Sequence, residues 1–480
     1  MALSHKNGVA LLGVSALNGI AKASIAEING QTIAATSVSE FETTFDSLYT
    51  GWAPVTNTTF YSRPAETEPA SKASTTATPS YTDQRFGTAV YSATKIVDVG
   101  GSITHLRNDY ARHIAFNCDS TRFIVVTSDS YWHLYNANTF AHIDGGRTGS
   151  NGQNGALLGI VGSDCEPIWH PTNPSKLWYT ADYGGLIWYE LDVTTGVSTT
   201  LFNFTGRLGA LGMGTGARTS FGGEGRPSND GRYWALMVKT SGYGMLGLLM
   251  YDRQADTFLG SVTTTNAPNN ITTSPLGNYA VPCWSNFTAN SLSTSAAASI
   301  DSTDGARAYL PDFSDFEQMS NTEQHADVAL DVSGNEVYVS VNFSSGTLIP
   351  DVSEGYTYYR RMDTGVAVQL PLTAYGGGSD TGIHFSGGGY RRPGWALCNL
   401  YGGTPSTWKD GCLMGLELKP SAQRVVRFAH HQSSGATYWV DPLACVNADF
   451  TRILYGSDFR RGATPGVGFM VGLPSDWDTR

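Results

Sequence analysis

Asp230-Gly-Arg-Tyr-Trp-Ala-Leu236 joins a turn signal to a run of strand-forming residues, and the pattern returns six more times. The other instances are Asp119-Ser-Thr-Arg-Phe-Ile-Val-Val126, Asn173-Pro-Ser-Lys-Leu-Trp-Tyr179, Gly277-Asn-Tyr-Ala-Val281, Gly334-Asn-Glu-Val-Tyr-Val339, Gly389-Tyr-Arg-Arg-Pro-Gly-Trp-Ala-Leu397 and Asp449-Phe-Thr-Arg-Ile-Leu-Tyr455. Taken in chain order, the seven anchors lie 54, 57, 47, 57, 55 and 60 residues apart. Several units carry a later strand that ends in an acidic turn, as in Trp188-Tyr-Glu-Leu-Asp192 with Thr195-Gly196, and in Leu249-Met-Tyr-Asp252. Repeats of about 40–50 residues with several strands each mark a β-propeller. A small sheet with two apolar faces must be covered on both, so a row of such sheets closes into a ring. The fold expected is all-β: a seven-bladed β-propeller over residues 85–480, with the unit at Gly277 the most irregular. Gly87-Thr-Ala-Val-Tyr-Ser-Ala-Thr-Lys-Ile-Val-Asp-Val99 precedes the first unit and is expected to lend a strand to the last, latching the ring.

The rest of the composition agrees with many short strands. Aromatic residues make up 11% of the 480 and there are 55 glycines, which excludes an aromatic-poor disordered chain and a coiled coil. The net charge is −11, and basic residues cluster only as the pairs Arg360-Arg361, Arg391-Arg392 and Arg460-Arg461, so nucleic acid is not an expected partner. The longest apolar run, from Val9 to Leu17, is far shorter than the roughly 20 residues of a membrane span. Ala21-Lys22-Ala23 resembles a small-residue cleavage site, but the apolar run before it belongs to a repeat that continues past it, which argues against a signal peptide. Six cysteines without Cys-x-x-Cys spacing read as buried free thiols, with one or two disulfides left open. Gly212-x-Gly214-x-Gly216 lacks the βαβ setting of a nucleotide site and reads as a loop.

The first 84 residues have a different texture. Asn-Gly recurs at Asn7-Gly8, Asn18-Gly19 and Asn29-Gly30, an 11-residue period over residues 1–35. Asn-Gly suits a turn with positive φ at both central residues, so each unit reads as a short strand and a turn. Three such units bury too little to stand alone and serve here as an anchor. Residues 36–84, rich in Ser, Thr, Ala, Pro and Glu, read as an extended arm. Both segments are expected to be held by a neighbouring subunit in a multi-subunit assembly.

Pro227-Ser-Asn-Asp-Gly-Arg-Tyr-Trp-Ala235 and Asn447-Ala-Asp-Phe-Thr-Arg-Ile-Leu-Tyr-Gly-Ser-Asp458 resemble the repeat of the TolB-like propeller superfamily, a likeness running over about three-quarters of the chain. The last third is also similar to oligogalacturonate lyase-type propellers, where histidines and a glutamine on inner strands hold a divalent metal. That resemblance implies ligands among His325, His384, His430 or His431, and Gln432. His430-His431-Gln432 are consecutive, so neighbours would face opposite ways on a strand. Leu17-Asn-Gly-Ile-Ala-Lys-Ala-Ser-Ile-Ala-Glu-Ile-Asn-Gly30 resembles Asn-Gly-rich segments in structural proteins of tailed bacteriophages. It implies a virion-anchored protein whose distal domain reaches outward.

No complete catalytic motif is present. His325 and Asp327 are two apart, so on a strand they share a face and could act as an acid–base couple or bind a metal. A structural hydrogen bond between blades is the blander reading. Trp169-His170, and Trp439 with Asp441, set aromatic faces beside polar tips, as sugar binding requires; strand packing is the commoner use of such residues. A divalent metal at His325, His384, His431 and Gln432 is the sole cofactor considered. The function expected is a virion structural or adhesion protein of tail, fibre or capsid, joined to other virion proteins through residues 1–84 and facing a host-surface glycan. The alternative is a polysaccharide lyase or glycoside hydrolase on the same scaffold; a bacterial secreted or cell-surface binding protein, extracellular in location, is a further reading.

Overall fold

The chain is seen in a computed structural model that describes residues 27–28, 31–32, 46, 48–59, 61–100, 102–143, 156–285, 304–320, 325–343, 349, 351–374, 382–402 and 407–480. Five four-stranded antiparallel sheets follow one another in chain order. They run from Ile168–Trp169 to Ser198–Asn203, Arg218–Ser220 to Thr257–Thr263, Asn270–Thr273 to Phe316–Ser320, Asp327–Leu330 to Ala367–Thr373, and Gly382–Ser386 to Val425–His430; we call them sheets two to six. Sheet one holds Arg122–Thr127, Tyr131–Asn136 and Ala156–Val161, and sheet seven holds Cys445–Val446, Arg452–Ser457 and Gly466–Gly472. His105–Arg107 lies parallel to Gly466–Gly472 and antiparallel to Arg122–Thr127, so sheets seven and one merge into one nine-stranded sheet. Counted as its two halves, that sheet and the other five fit the seven expected units among the described residues.

An apolar layer fills the space between each pair of neighbouring sheets. Trp178 and Trp188 of sheet two meet Phe221 and Trp234 of sheet three. Val337 and Val339 of sheet five meet Phe385 and Cys398 of sheet six. The closing layer joins Phe123 and Val125 of sheet one to Leu454 and Met470 of sheet seven, which makes the β-propeller a closed ring. Burying one such aliphatic or aromatic side chain is worth about 1.5–3 kcal/mol, so every sheet depends on both neighbours.

The repeated turn has a recurring cause. The side-chain oxygens of Asn117, Ser228, Ser274 and Asn447 each accept the backbone N–H five residues on, at 2.9 Å. This bond closes the turn between the first and second strands and starts the second in register. The irregular unit at Gly277 carries it too, through Ser274 and Tyr279. The acidic turns also form: Asp192 Oδ1 accepts Thr194 N and Thr195 N, and Asp252 Oδ1 accepts Gln254 N and Ala255 N. All six cysteines are buried thiols.

The latch is as expected. Ala89–Ser92 pairs antiparallel with Gly466–Gly472, supplying the outer strand of sheet seven, and Tyr81–Thr82 pairs with it in turn. The described part of the arm lies against this chain's own sheets six, seven and one. Tyr49 is buried, donates its hydroxyl to Gly472 O and accepts Ala89 N at 2.7 Å. Arg427 donates to Thr59 O at 3.0 Å and Asn57 Oδ1 at 2.9 Å, its guanidinium 5.0 Å and 5.1 Å from the rings of Tyr61 and Phe86. Lys95 donates to Pro69 O and Arg460 to Pro64 O. The arm offers few apolar side chains, but its exposed carbonyls are acceptors for the cations of the sheets. Farther out, Glu27–Ile28 and Gln31–Thr32 pair antiparallel on either side of Asn29-Gly30 in the sequence. The Asn7-Gly8 and Asn18-Gly19 units lie outside the described residues. No helix among the described residues is long and apolar enough to cross a membrane.

Candidate functional site

Strand direction alternates within each sheet, so two kinds of connection share one face of the ring. Those from an outer strand to the next inner strand, and from second to third strands, lie on what we call the upper face. The upper mouth of the central channel is stopped by residues 107–114. Arg107, 2% exposed, donates to Asn108 O (2.7 Å), Asp109 O (3.0 Å), Trp439 O (3.2 Å) and Tyr438 O (3.3 Å). Arg112 donates to Ala326 O of sheet five and, at 2.5 Å, to Glu224 Oε2 of sheet three. Arg226 in turn pairs with Asp327 at 2.9 Å and donates to Arg112 O at 2.8 Å. A short loop thus ties four sheets across the channel through guanidinium groups, whose planar donor forks suit several acceptors at once.

Acid groups crowd around this plug. Glu166 accepts Phe221 N at 2.9 Å and Gly223 N at 2.7 Å, linking sheet two to sheet three. Burial nevertheless pushes its carboxyl up to about 7, against those bonds and the charge of His113. Asp164 is raised by burial and by the charges of Asp109 and Asp182. Asp441 is pushed up to about 7 by burial, with Arg107 opposing. Burial also works against charging His113, but Asp109 at 2.9 Å outweighs it and raises the imidazole.

Aromatic rings border the same face. Tyr438 and Trp439 form a short 3-10 turn (Tyr438–Val440) before sheet seven, their rings 5.1 Å apart at 79°. They are 49% and 47% exposed, although the described tryptophans of the sheets are buried. Trp439 stacks on His105 at 4.6 Å, nearly parallel. Partial burial pushes the Tyr438 hydroxyl up to about 12, with Asp109 adding to it. Tyr183 and Tyr243, in second-to-third-strand turns of sheets two and three, form a second exposed pair 5.9 Å apart.

The residues singled out in the sequence fall at several places. His325 stands in a turn with φ 60°, not on the strand that begins at Asp327, so the two do not share a face. Asp327 is taken by Arg226 and by Gly387 N at 2.6 Å, and no His325–Asp327 couple forms. His325 instead meets His384, ring centroids 4.2 Å apart. Burial and Arg112 push His325 down to about 4, and burial, His325 and Arg112 hold His384 well below its usual range. Both ring nitrogens of buried His384 lack a hydrogen-bond partner among the described residues, as do both amide atoms of Gln432. His431 is committed elsewhere: Nε2 lies 2.9 Å from Leu400 O and Nδ1 accepts Ser433 N at 3.0 Å. His430 pairs with Asp83 of the latch. The four residues carried over as metal ligands therefore do not make one ligand set. No group of three or more His, Cys, Asp or Glu among the described residues is arranged to hold a metal.

Trp169 is core, 6% exposed, donating Nε1 to Ala115 O at 2.8 Å. His170 lies on the opposite, lower face, where its Nδ1 accepts Thr172 N and Asn173 N. Of the four sugar-binding candidates, Trp439 and Asp441 alone reach the upper mouth. Sequence reading passed over Arg107, Asp109, Arg112, Glu166 and Glu224. The signal was present in Arg107-Asn-Asp-Tyr-Ala-Arg-His113, a dense polar run in a chain with only 15% charged residues.

No protein-family model matches the sequence, and no curated protein is similar to it. Among solved structures, an oligogalacturonate lyase in complex with manganese is similar in shape, with a TM-score of 0.51 and 14% identity over 82% of this chain and 95% of that one. An oligogalacturonate lyase from Vibrio parahaemolyticus matches with a TM-score of 0.51 and 10% identity, over 83% of this chain and 97% of that one. TolB from Acinetobacter baumannii is more distant, with a TM-score of 0.32 and 12% identity over 64% of each chain. At these identities the likeness shows the fold alone: this chain shares the β-propeller architecture of the oligogalacturonate lyases.

Proposed function

We propose that the protein is an adhesion module: a β-propeller that binds glycan at its upper mouth and is joined through its N-terminal segment to other proteins of a virion. The exposed Tyr438–Trp439 pair carries the binding half. Rings held on a 3-10 turn and backed by His105 need little ordering on binding. Their faces, electron-rich by the ring quadrupole, attract the C–H face of a sugar ring. The Asn-Gly units and their resemblance to phage structural proteins support the virion half. So does the route of the arm: Asp46 accepts Ser475 N at 2.8 Å on the lower face, opposite the upper mouth. Glycan-array screening of the purified protein tests the binding half, with Trp439→Ala as control; binding to no glycan would overturn it. Mass spectrometry of purified particles tests the virion half, and absence of the chain from them would remove it.

A second reading, an enzyme that cleaves polysaccharide, is favoured by one observation, the contact of His325 with buried His384. A metal-dependent version does not fit, because the ring of His431 is already bonded on both nitrogens. Incubation with oligogalacturonate, followed by absorbance of unsaturated products, tests it. Product that forms in wild type and disappears in His384→Ala would support the enzyme; no product in wild type would end it.

A further inference from the structure

We propose that the upper mouth takes an uncharged saccharide, a chain of neutral hexoses or N-acetylhexosamines, and rejects uronates. This rests on the glycan-binding reading above and names the class of glycan. An acidic sugar chain needs a cation that can reach its carboxylate, ideally an arginine offering two parallel donors. Around Tyr438 and Trp439 the guanidinium groups are spent on the protein itself. Arg107 is almost fully buried and donates to four backbone carbonyls. Arg112 is 3% exposed and bonded to Ala326 O and Glu224. By the Tyr183–Tyr243 pair, Arg218 donates to Asp182 O and Gly184 O, each at 3.2 Å, and lies 4.6 Å from the Tyr243 ring. Lys239 faces Glu166 and Asp164.

What the mouth turns toward a ligand is acidic or aromatic. Asp109 and Glu224 act on the Tyr438 phenol, and each is the more exposed partner of its ion pair, 23% against 8% for His113 and 24% against 3% for Arg112. Carboxylates accept hydroxyl protons, so they suit neutral sugars, whereas a uronate carboxylate would lose its water beside like charges. The exposed faces of Trp439 and Tyr438 supply a stacking surface that needs no charge on the ligand.

The test is calorimetric titration of the full chain with cello-, malto- and N-acetylchito-oligosaccharides and with oligogalacturonate of the same chain length. At least one neutral series should bind, and oligogalacturonate should bind weaker by about tenfold or more. Trp439→Ala should weaken the neutral ligand by about tenfold, while Trp439→Phe, which keeps a ring, should retain most of the affinity. Circular dichroism identifies any variant that fails to fold. Asp109→Asn should narrow the gap between neutral and acidic chains. Oligogalacturonate bound as tightly as the neutral chains would overturn the class and leave the glycan-binding reading standing. Unchanged affinity in folded Trp439→Ala would overturn the placement at this mouth. No binding by any saccharide would overturn both readings.

Discussion

Arg226 and Asp327 make a buried ion pair, with side chains 7% and 1% exposed, that also takes in Gly387 N and Val328 O. Both terminal nitrogens of Arg226 and both carboxylate oxygens of Asp327 are hydrogen-bonded, so the pair is tolerated inside the channel wall. Asp327→Ala would leave a guanidinium buried without its counter-charge and should cost about 3–5 kcal/mol in urea unfolding. Asp441 makes a different prediction. Its carboxyl is pushed up to about 7 in the folded chain, against about 4 when unfolded. Between those values the folded state holds a proton that the unfolded state has lost. Stability from this group is therefore greatest at the acid end and falls as pH rises toward about 7. Asp441→Asn should flatten that part of the stability profile; a profile of unchanged slope would show that Asp441 is not its source. Histidines are the residues whose roles were least legible. His325 carries a positive φ that no spacing rule reveals, and that one dihedral separates it from Asp327.

The hairpin of Tyr81–Thr82 and Ala89–Ser92 closes the ring at the scale of an element. Asp83 sits in it fully buried, accepting Arg85 N, Phe86 N and His430 N, the last at 2.8 Å, with the His430 ring 3.1 Å away. The pairing of charge and hydrogen bonds with His430 lowers the carboxyl despite its burial. Asp83→Ala strands these donors and should destabilise the protein by about 3 kcal/mol, read from the denaturant midpoint at unchanged slope. Strand existence, the turn chemistry and the latch were legible because they depend on residues a few positions apart. The place of the arm was not legible, because its composition describes an isolated segment. Carbonyls such as Thr59 O and Pro64 O gain arginine partners that composition does not display.

The whole molecule is a ring whose first and last sheets share nine strands. Because each sheet is covered by its neighbours, opening the seam at sheet seven uncovers two apolar layers at once. Deletion of residues 1–45 should leave thermal unfolding near that of the full chain, since Tyr49 and the latch remain. Deletion of residues 1–92 removes the outer strand of sheet seven and should abolish the cooperative transition in calorimetry. Equal behaviour of the two truncations would show that the latch does not hold the ring.

The seven-fold period, the all-β class and the strand donated to the last sheet were determined by the sequence alone. Each follows from local turn chemistry and from sheets that have two faces to cover. Only the tertiary structure decided which charges meet, where the arm lies and which aromatics remain exposed. Those contacts join positions far apart in the chain: Asp83 reaches His430 across 347 residues, and Arg107 reaches Tyr438 across 331. No local pattern encodes such pairings, because they exist only once the ring has closed and brought its two ends together.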